Sequence, residues 1–328
     1  TKSDKVDADV LQQRQEEIAA RLETSTVTWH DTVITSVTAN TGISELITQI
    51  ENLVAAQATK SQNTRPRLFI DRVFSMKGSG TVVTGTLEGG NLEATSSLVV
   101  ARTGTAVRVR EIQTHGTVVA VAQSGTRCAI NLSGINADEL QRGDALVRDG
   151  DWHMSNVFDA RIKVLPALQH ALTHRGSFTL HIGTRSQSAT LRILQSDSID
   201  PGQSGLVRIR FEHSLPLVPG DRFLLRDTGI GATVGGGVIL DVDPRSRVKD
   251  AAPDGSDEQI LRDRGWLTVD EARQLTGHDI APIVGSWVAS AETFRVTVTA
   301  LEKQLSMSQS IDTSLLTAFE RDVIATID

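Results

Sequence analysis

The sequence predicts a mainly β protein with two consecutive β-barrels, preceded by an α/β segment and followed by a helical, winged-helix-like segment. From Leu68 to about Asp241, short runs rich in Val, Thr and Ile alternate with Gly, Pro, Asn and Asp, a pattern typical of barrels and sandwiches. The runs fall into two series of about 90 residues each. Because open twisted sheets rarely exceed about 10 strands, two β domains are favoured over one large sheet.

Length and composition indicate a multidomain globular chain. The 328 residues, 39% of them hydrophobic, correspond to about two domains of typical size. Lys and Arg number 33 against 40 Asp and Glu, so the net charge of −7 argues against coating of nucleic acid by bulk positive charge, and any RNA contact has to be local. A single cysteine, Cys128, excludes an internal disulfide framework and fits a reducing cytoplasm. No apolar run reaches the roughly 18 residues of a membrane span, so no membrane association is expected.

Residues 1–57 are predicted to form the C-terminal part of a larger α/β domain. Within residues 7–23, one face holds Leu11, Gln15, Ile18 and Leu22 at three- and four-residue steps, which indicates an amphipathic helix. The β-branched run DTVITSV predicts a short strand, and a second helical pattern follows behind Ser44 as a possible N-cap. Helix, strand and helix make half of an α/β layer, too short to close a core alone. The next stretch, AQATKSQNTRPR, loses periodicity and is interpreted as a linker.

The two predicted barrels are residues 65–150 and 155–247. The first opens with a hairpin, LFIDRVFSM and TVVTGTLEGG joined by KGSG, and ends at GDALVRD. The second runs from ARIKVL to GGGVILDV. A polar stretch, RSRVKDAAPDGSD, is interpreted as another linker before the winged-helix-like residues 255–328. There LTVDEARQLTG predicts a helix stopped by Gly277, FRVTVTAL a small strand, and LLTAFERDVIATI a final helix.

The first four residues, Thr1-Lys2-Ser3-Asp4, match the guanine-specificity pattern Asn/Thr-Lys-x-Asp of GTPases. An aspartate accepts hydrogen bonds from the guanine ring N–H and exocyclic amine, and a lysine stem can lie over the base. Four residues alone are a weak motif, and a solvated polar terminus is the alternative interpretation. The run from Val37 to Gly42 resembles the last GTPase motif, Ser/Thr-Ala-x, and follows at the expected separation. Thr1, Lys2, Asp4, Thr38 and Ala39 are therefore the candidate guanine-binding residues.

The phosphate-binding parts of a GTPase are missing from the sequence. No G-x-x-x-x-G-K-[ST] loop occurs, and no Asp-x-x-Gly switch precedes the guanine motif. We expect GTP to be the cofactor, with Mg²⁺ bound by a half of the GTPase domain that this chain lacks. Whether the chain is an enzyme stays open, and hydrolysis of GTP by the chain unaided is not expected.

Several motifs resemble translational GTPases. LFIDRVFSMKGSGTVVTGTLEGG resembles the start of their second domain, RGDALVRDG its closing strand, and GDRFLLRDTGIGATVGGGVILDVDP the end of their third domain. Ile-Asp-Arg-Val-Phe followed by Lys-Gly-x-Gly-Thr-Val-Val-Thr-Gly-Thr looks most like the selenocysteine-specific elongation factors (SelB family). The resemblance covers about residues 1–247, whereas the tail is similar to the family's winged-helix extension only in placement.

The resemblance implies a pocket for the aminoacyl end of a tRNA in the first barrel. Three positions match the family's selenocysteine pocket: Asp71, Arg72 and Arg127. A selenol is more acidic than a thiol, whose pKa is about 8.5, so near pH 7 selenocysteine is largely an anion that guanidinium groups attract. The alternative is that these residues form ordinary surface ion pairs worth at most about 1 kcal/mol. Arg208 and Arg210, on one strand face, are interpreted as surface charges, with tRNA phosphate contact as the alternative.

The resemblance implies a monomeric cytoplasmic translation factor that delivers selenocysteinyl-tRNA to the ribosome at UGA codons. An mRNA hairpin is expected as a further partner through the C-terminal extension, which is incomplete in this chain. Two alternatives remain: a general aminoacyl-tRNA carrier like elongation factor Tu, and a non-switching β-barrel module that binds RNA or a protein partner. The Asp71-Arg72 pair and the tail beyond residue 250 argue against a general carrier.

Overall fold

A computed structural model describes residues 1–23, 29–56, 65–76, 80–307, 319 and 321–323. The chain divides into two compact units, Thr1–Gln62 with Leu165–Ala167, and Asn63–Val164 with Leu168–Asp328. Within the described ranges, no helix is long and apolar enough to cross a membrane. The predicted linker around residues 57–64 and most of the KGSG turn lie outside the described residues.

The first unit contains two helices, α1 (Ala8–Glu23) and α2 (Ile43–Ala56), as the sequence predicts. The predicted strand in DTVITSV is not formed, and the pairing described there is one bridge between Ser36 and Thr41. A β-branched run needs a neighbouring strand for its N–H and C=O groups, and the described residues of this unit supply none. The apolar face of α2 is open, with Ile47 and Val54 exposed by 52% and 69%.

The first barrel is a closed ring of six strands in the second unit. Its members are β1 (Arg67–Met76), β2 (Gly80–Glu88), β4 (Ser97–Val100), β5 (Thr105–Thr114), β8 (Arg127–Ser133) and β9 (Ala145–Val147). They lie in the order β4-β9-β1-β2-β8-β5, and β5 pairs with β4 to close the ring. Three short strands lie outside it: β3 (Leu92–Glu93) pairs with β7 (Val121–Ala122), and β6 (Thr117–Val119) pairs with β5. Alternate residues of β2 and β8 face a buried aliphatic core.

The second barrel is also closed by six strands. They are β10 (Met154–Val164), β12 (Phe178–Ile182), β13 (Arg185–Leu194), β15 (Ser204–Pro216), β16 (Arg222–Asp227) and β17 (Ala232–Val242). Their order is β10-β15-β13-β12-β16-β17, with β17 pairing with β10, and a two-stranded sheet joins β11 (Leu172–Thr173) to β14 (Ser198–Ile199). The predicted mainly β fold with two consecutive barrels is confirmed.

A buried arginine connects the barrels. Arg67, at the start of β1, donates hydrogen bonds to both carboxylate oxygens of Asp221, at 2.7 and 2.8 Å, and to the carbonyl of Pro216 at 2.7 Å. Burial acts to lower the pKa of Arg67, but the carboxylates of Asp221 and Glu88 outweigh it and raise the pKa. Trp152, between the barrels, lies against Arg65 and Arg67, whose guanidinium carbons are 4.9 and 4.8 Å from its ring centroid.

The tail forms a helical segment with a small antiparallel sheet. It contains α3 (Asp257–Arg264), β18 (Leu267–Thr268), α4 (Val269–Thr276), β19 (Trp287–Val288) and α5 (Ala291–Met307), with β18 paired to β19. Thr268 and Glu271 form a capping box at the start of α4, and Gly277, at φ 93°, ends the helix as the sequence predicts. Of the predicted final helix, only residues 319 and 321–323 are described, and they are helical.

The predicted strand FRVTVTAL is wrong, because these residues lie within α5. The hydroxyl of Ser290 accepts the N–H of Thr293 at 3.0 Å, which supports the start of the helix. Phe294 and Leu301, seven residues apart, pack in the same small core beside Val284. Helical spacing of the buried residues therefore outweighs the strand preference of the β-branched residues between them.

The polar stretch after residue 244 does not act as a free linker. Arg208 donates to the carbonyl of Ser246 at 2.7 Å, Gln195 donates to that of Ala251 at 3.2 Å, and Ala251 is buried. Arg208 is also paired with Asp159 at 2.6 and 2.8 Å, both side chains being at most 5% exposed. Arg208 is thus an internal contact and not the surface charge that its strand position suggested, whereas Arg210 is exposed.

Candidate functional site

The candidate aminoacyl site is built on a β-bulge. In the pairing of β1 with β2, Ile70 lies opposite Gly85 and Arg72 opposite Thr84, so Asp71 is an extra residue with no partner on β2. A bulge re-aims side chains that strict alternation would send to opposite faces. The side chains of Asp71 and Arg72 are consequently both available on the outer surface of the barrel, beside residues of β2 and β8.

Asp71, Thr84 and Arg127 form a hydrogen-bonded triad on this surface. The Thr84 hydroxyl donates to Asp71 Oδ1 at 2.5 Å. Arg127, opposite Thr86 on the neighbouring strand, donates through Nη1 to Asp71 Oδ2 and through Nη2 to Asp71 Oδ1 at 3.1 Å. Its Nη2 also lies 3.4 Å from Thr84 Oγ1. The structure thus brings together two of the three predicted pocket residues and adds Thr84.

The charges around Asp71 keep its carboxylate ionised. Burial acts to raise the pKa of Asp71, but hydrogen bonds from Thr84 and Arg127, together with the charges of Arg127 and Arg72, lower the pKa below the ordinary aspartate value. Arg72 is exposed and acts on Asp71 through its charge, whereas Arg127 is held by the bidentate contact. With Asp71 matched by Arg127, Arg72 leaves the group with a net positive charge.

The triad is preorganised but remains open to solvent. The side chain of Arg127 is 55% exposed and that of Asp71 18%. Cys128, next in the chain, points the other way into the barrel core, where burial raises the pKa of its thiol. It is therefore a small buried residue and not an activated thiol. The guanidinium groups of Arg72 and Arg127 lie on the outer surface of the barrel, and the strands that carry them are held rigid by the packed core.

Sequence reasoning missed Thr84 although a signal was present. Thr84 lies in the run TVVTGT, where β-branched residues serve as strand formers. Because Val83 and Gly85 are buried, alternation assigns Thr84 to the outer face, but its approach to Asp71 depends on the bulge. Bulges depend on local ladder geometry, so spacing alone could not bring the two residues together.

The candidate guanine-binding residues lie in the first unit, where their two segments meet. The Ser36 hydroxyl donates to Asp4 Oδ1, and the N–H of Ser3 donates to the carbonyl of Thr35 at 3.3 Å. The N–H of Ala39 donates to Ser36 Oγ at 3.1 Å. Ser36 is fully buried and joins the two predicted segments, although it is not itself one of the predicted guanine-binding residues.

These residues fit a guanine edge. A carboxylate has two oxygens and about four acceptor sites, so the bond from Ser36 leaves Asp4 able to accept from a base. Lys2 is exposed and adopts a left-handed backbone conformation, φ 62° and ψ 33°. Thr1 and Thr38 are also exposed. The donor and acceptor types present are therefore those that guanine recognition requires.

Comparison with known proteins finds translation elongation factors that are similar to this chain. The family model described as "Selenocysteine-specific elongation factor, beta-barrel domain" matches residues 159–246, the second barrel. The selenocysteine-specific elongation factor of Desulfomicrobium baculatum is 34% identical over 290 residues, which cover 84% of this chain and 46% of the relative. This chain is similar to selenocysteine-specific elongation factors over most of its own length.

Solved structures of selenocysteine-specific elongation factors share the fold. A bacterial selenocysteine-specific elongation factor, EF-Sec, superposes with a TM-score of 0.72 at 22% identity, over 99% of this chain and 57% of that one. The factor SelB of Methanococcus maripaludis, in complex with the GTP analogue GppNHp, gives a TM-score of 0.62 at 20% identity, over 77% of this chain and 58% of that one. The chain spans about half the length of these relatives.

Proposed function

We propose that this chain is the tRNA-carrying part of a translation elongation factor that delivers selenocysteinyl-tRNA to the ribosome at UGA codons. The observation that carries the proposal is the hydrogen-bonded pair of Asp71, at the bulge of β1, and Arg127 on β8, with the charge of Arg72 beside it. Similarity to selenocysteine-specific elongation factors supports the same function.

The chemistry of the site favours an anionic side chain over a neutral one. A selenol is largely ionised near pH 7, a thiol with a pKa of about 8.5 is largely protonated, and a serine hydroxyl is neutral. Arg72 supplies the net positive charge, and Arg127 has donors beyond those it gives to Asp71. A charge-assisted contact of this kind contributes roughly 1.5 to 3 kcal/mol, and solvent exposure of Arg127 places it near the lower value, about tenfold in affinity.

The role of each residue follows from its contacts. Asp71 holds Arg127 in a fixed orientation, and Thr84 holds Asp71. The remaining N–H groups of Arg127 are free to bind the selenolate, and Arg72 reaches the same selenolate from β1. We infer that Arg72 and Arg127 contact the selenolate and that Asp71 and Thr84 orient them.

The first unit suits the guanine end of a GTP site. Thr1, Lys2, Asp4, Thr38 and Ala39 are proposed to surround the base, with Ser36 holding Asp4. GTP with Mg²⁺, when bound by a complete GTPase domain, supplies the switch that sets the tRNA-competent state of the whole factor. The side chains of this unit orient the base, and the phosphate groups have no loop in this sequence.

The remaining partners follow from the same proposal. The factor is proposed to act in the cytoplasm, as a monomer, and to bind the ribosome as well as the tRNA. Recognition of an mRNA hairpin is proposed for the C-terminal extension of the factor, to which the helical tail is assigned. We expect the purified chain to show no Mg²⁺-dependent hydrolysis of GTP, and measurable hydrolysis would contradict the assignment of its first unit.

The test compares two aminoacylated RNAs. Binding of selenocysteinyl-tRNA and seryl-tRNA is measured by protection of the aminoacyl ester from hydrolysis, for the unmodified chain and for Arg72→Ala and Arg127→Ala. We expect each substitution to weaken the binding of selenocysteinyl-tRNA about tenfold and to leave the binding of seryl-tRNA nearly unchanged. Arg108→Ala, an exposed arginine on β5 of the same barrel, is the control. Equal weakening of both RNAs would reject the selenol pocket and favour a general aminoacyl-tRNA carrier.

A further inference from the structure

The peptide bond that opens the bulge is held by both barrels. The carbonyl oxygen of Ile70 accepts the N–H of Gly143 at 2.8 Å, and the N–H of Ile70 donates to the carbonyl of Asp144 at 2.8 Å. The same Ile70 carbonyl accepts a third bond, from the hydroxyl of Thr184 at 2.7 Å. Gly143 and Asp144 belong to the first barrel, whereas Thr184 lies in the turn between β12 and β13 of the second.

This carbonyl determines how Asp71 enters the site. The Ile70 C=O and the Asp71 N–H belong to one planar peptide unit, so a bond to the carbonyl orients both. Asp71 has no partner on β2, so the ladder there does not fix it. The orientation of the bulge therefore depends on the bonds that Ile70 makes on its other side.

The turn that carries Thr184 is itself fixed. Ile182 pairs with Arg185, so Gly183 and Thr184 form a two-residue hairpin turn in which Gly183 has a φ of 54°, as a turn with glycine first requires. The ring of Phe69, next to Ile70 on β1, lies against Gly183, where an added Cβ would come within 2.5 Å of it. Arg185 lies against Gly143 and has Nη1 3.9 Å from Asp144 Oδ1. The turn therefore packs against Phe69 of β1 and against Gly143 and Asp144, which form backbone hydrogen bonds with Ile70.

We propose that Thr184 of the second barrel is a positioning residue for the aminoacyl site, and that its hydroxyl sets the selectivity of the Asp71, Arg72 and Arg127 group through the Ile70 carbonyl. The inference deepens the proposed function and rests on it for the identity of the ligand. The Ile70 carbonyl is already hydrogen-bonded to Gly143, so the Thr184 hydroxyl is not needed to satisfy a buried acceptor. Its contribution is directional, since it fixes the peptide plane from the second barrel.

The test removes the hydroxyl and follows the site. Thr184→Val keeps the shape of the side chain but removes the hydroxyl donor. Thr184→Ser keeps the hydroxyl donor and removes only the methyl group. We expect Thr184→Val to lower the preference for selenocysteinyl-tRNA over seryl-tRNA about fivefold, the factor that one net hydrogen bond is worth. We also expect the pKa of Asp71, followed by carboxyl ¹³C NMR on the full chain without RNA, to rise toward the ordinary aspartate value, because Thr84 and Arg127 lose alignment with it.

Two matched controls separate positioning from loss of stability. The hydroxyl of Thr81 donates to the Ile135 carbonyl and that of Thr228 to the Ser177 carbonyl, each at 2.8 Å. Thr81→Val and Thr228→Val remove the same kind of bond away from Ile70, and we expect them to leave the Asp71 pKa and the selenocysteine preference as in the unmodified chain. Thr184→Ala gives the same readouts if Thr184→Val does not fold.

The outcomes distinguish this inference from the function on which it rests. An unchanged Asp71 pKa and preference in Thr184→Val, or equal shifts in the two control variants, would overturn the positioning role. It would also be overturned if Thr184→Ser failed to show the Asp71 pKa and the selenocysteine preference of the unmodified chain. If the Asp71 pKa rises in Thr184→Val but the unmodified chain shows no selenocysteine preference, the positioning role stands and the selenol function fails.

Discussion

Phe69 of the first barrel lies in the core of the second, against Gly183. It is 5% exposed and packs with the second barrel's apolar residues, although β1 belongs to the first barrel's ring. Gly183 leaves room for the ring, because a Cβ there would lie 2.5 Å from it. The two barrels are therefore joined by an apolar contact as well as by the Arg67–Asp221 ion pair.

Gly183→Ala tests this contact. We expect a loss of about 2 to 4 kcal/mol in the free energy of unfolding, measured by urea titration, because the new methyl group collides with an aromatic ring and the φ of 54° is unfavourable for alanine. Gly104→Ala is the control, since Gly104 has a φ of 69° but nothing within 4 Å of the added Cβ. Its loss, about 1 kcal/mol, measures backbone strain alone. Equal losses would mean that Phe69 moves aside without cost.

Arg264→Gln tests the docking of the helical tail on the second barrel. Arg264 donates to Asp241 at 2.6 Å and to the carbonyls of Val242 and Asp243 at 2.8 and 3.0 Å, and both charged side chains are at most 4% exposed. Removing the arginine charge leaves Asp241 buried without its hydrogen-bonded cation, which costs roughly 3 to 5 kcal/mol in unfolding free energy at pH 7. Arg14→Gln, in an exposed helical ion pair, is expected to have no measurable effect. A small loss for Arg264→Gln would show that Asp241 has other compensation.

The same variant has a defined pH dependence. Burial raises the pKa of Asp241, although hydrogen bonds from Arg264 act to lower it. Without Arg264 the pKa rises further, so the folded state binds more protons than the unfolded state between the ordinary aspartate value of about 3.9 and the raised value. Stability of Arg264→Gln therefore falls as pH rises through that window, and its deficit relative to the unmodified chain is smaller at pH 4 than at pH 7. A deficit independent of pH would contradict this account.

The pH dependence of the aminoacyl site has the opposite sign. The pKa of Asp71 is lowered, so its contacts contribute stability that is present above the ordinary aspartate value of about 3.9 and is lost as pH falls through the lower folded value. We expect the Asp71–Arg127 contact to persist throughout the pH range in which the selenol ionises. ¹³C titration of the Asp71 carboxyl checks this, and Arg127→Ala should raise its pKa. A normal pKa in the unmodified chain would show that the triad is not formed in solution.

Ser36→Ala tests the guanine site. The substitution removes the donor to Asp4 and the acceptor of the Ala39 N–H, so we expect guanosine to bind about fivefold more weakly in an NMR titration. Guanosine avoids the need for a phosphate loop, and adenosine serves as the ligand control. Thr48→Val, which removes a hydroxyl bond within α2, should leave guanosine binding unchanged. Equal binding of adenosine and guanosine would reject the site.

Much of the fold follows from local pattern. Period-two alternation in runs such as RCAINL and DRFLLRD predicts strands, since each run places an apolar residue at every second position, and these are the residues that are buried. Capping residues and Gly277 likewise mark the limits of α4. The failures came where two local signals conflicted, as in FRVTVTAL, or where a strand had no described neighbour, as in DTVITSV.

What the sequence determined by itself is the class of fold, the two barrels and the residue types of the candidate sites, because these depend on neighbours along the chain. What only the tertiary structure decided is which side chains meet. The bulge brings Asp71 to Thr84 and Arg127, the β12–β13 turn brings Thr184 to Ile70, and the tail brings Arg264 to Asp241. These contacts join residues 13 to 114 positions apart, and their geometry depends on strand register and on packing between barrels, neither of which is contained in the spacing of residues along the chain.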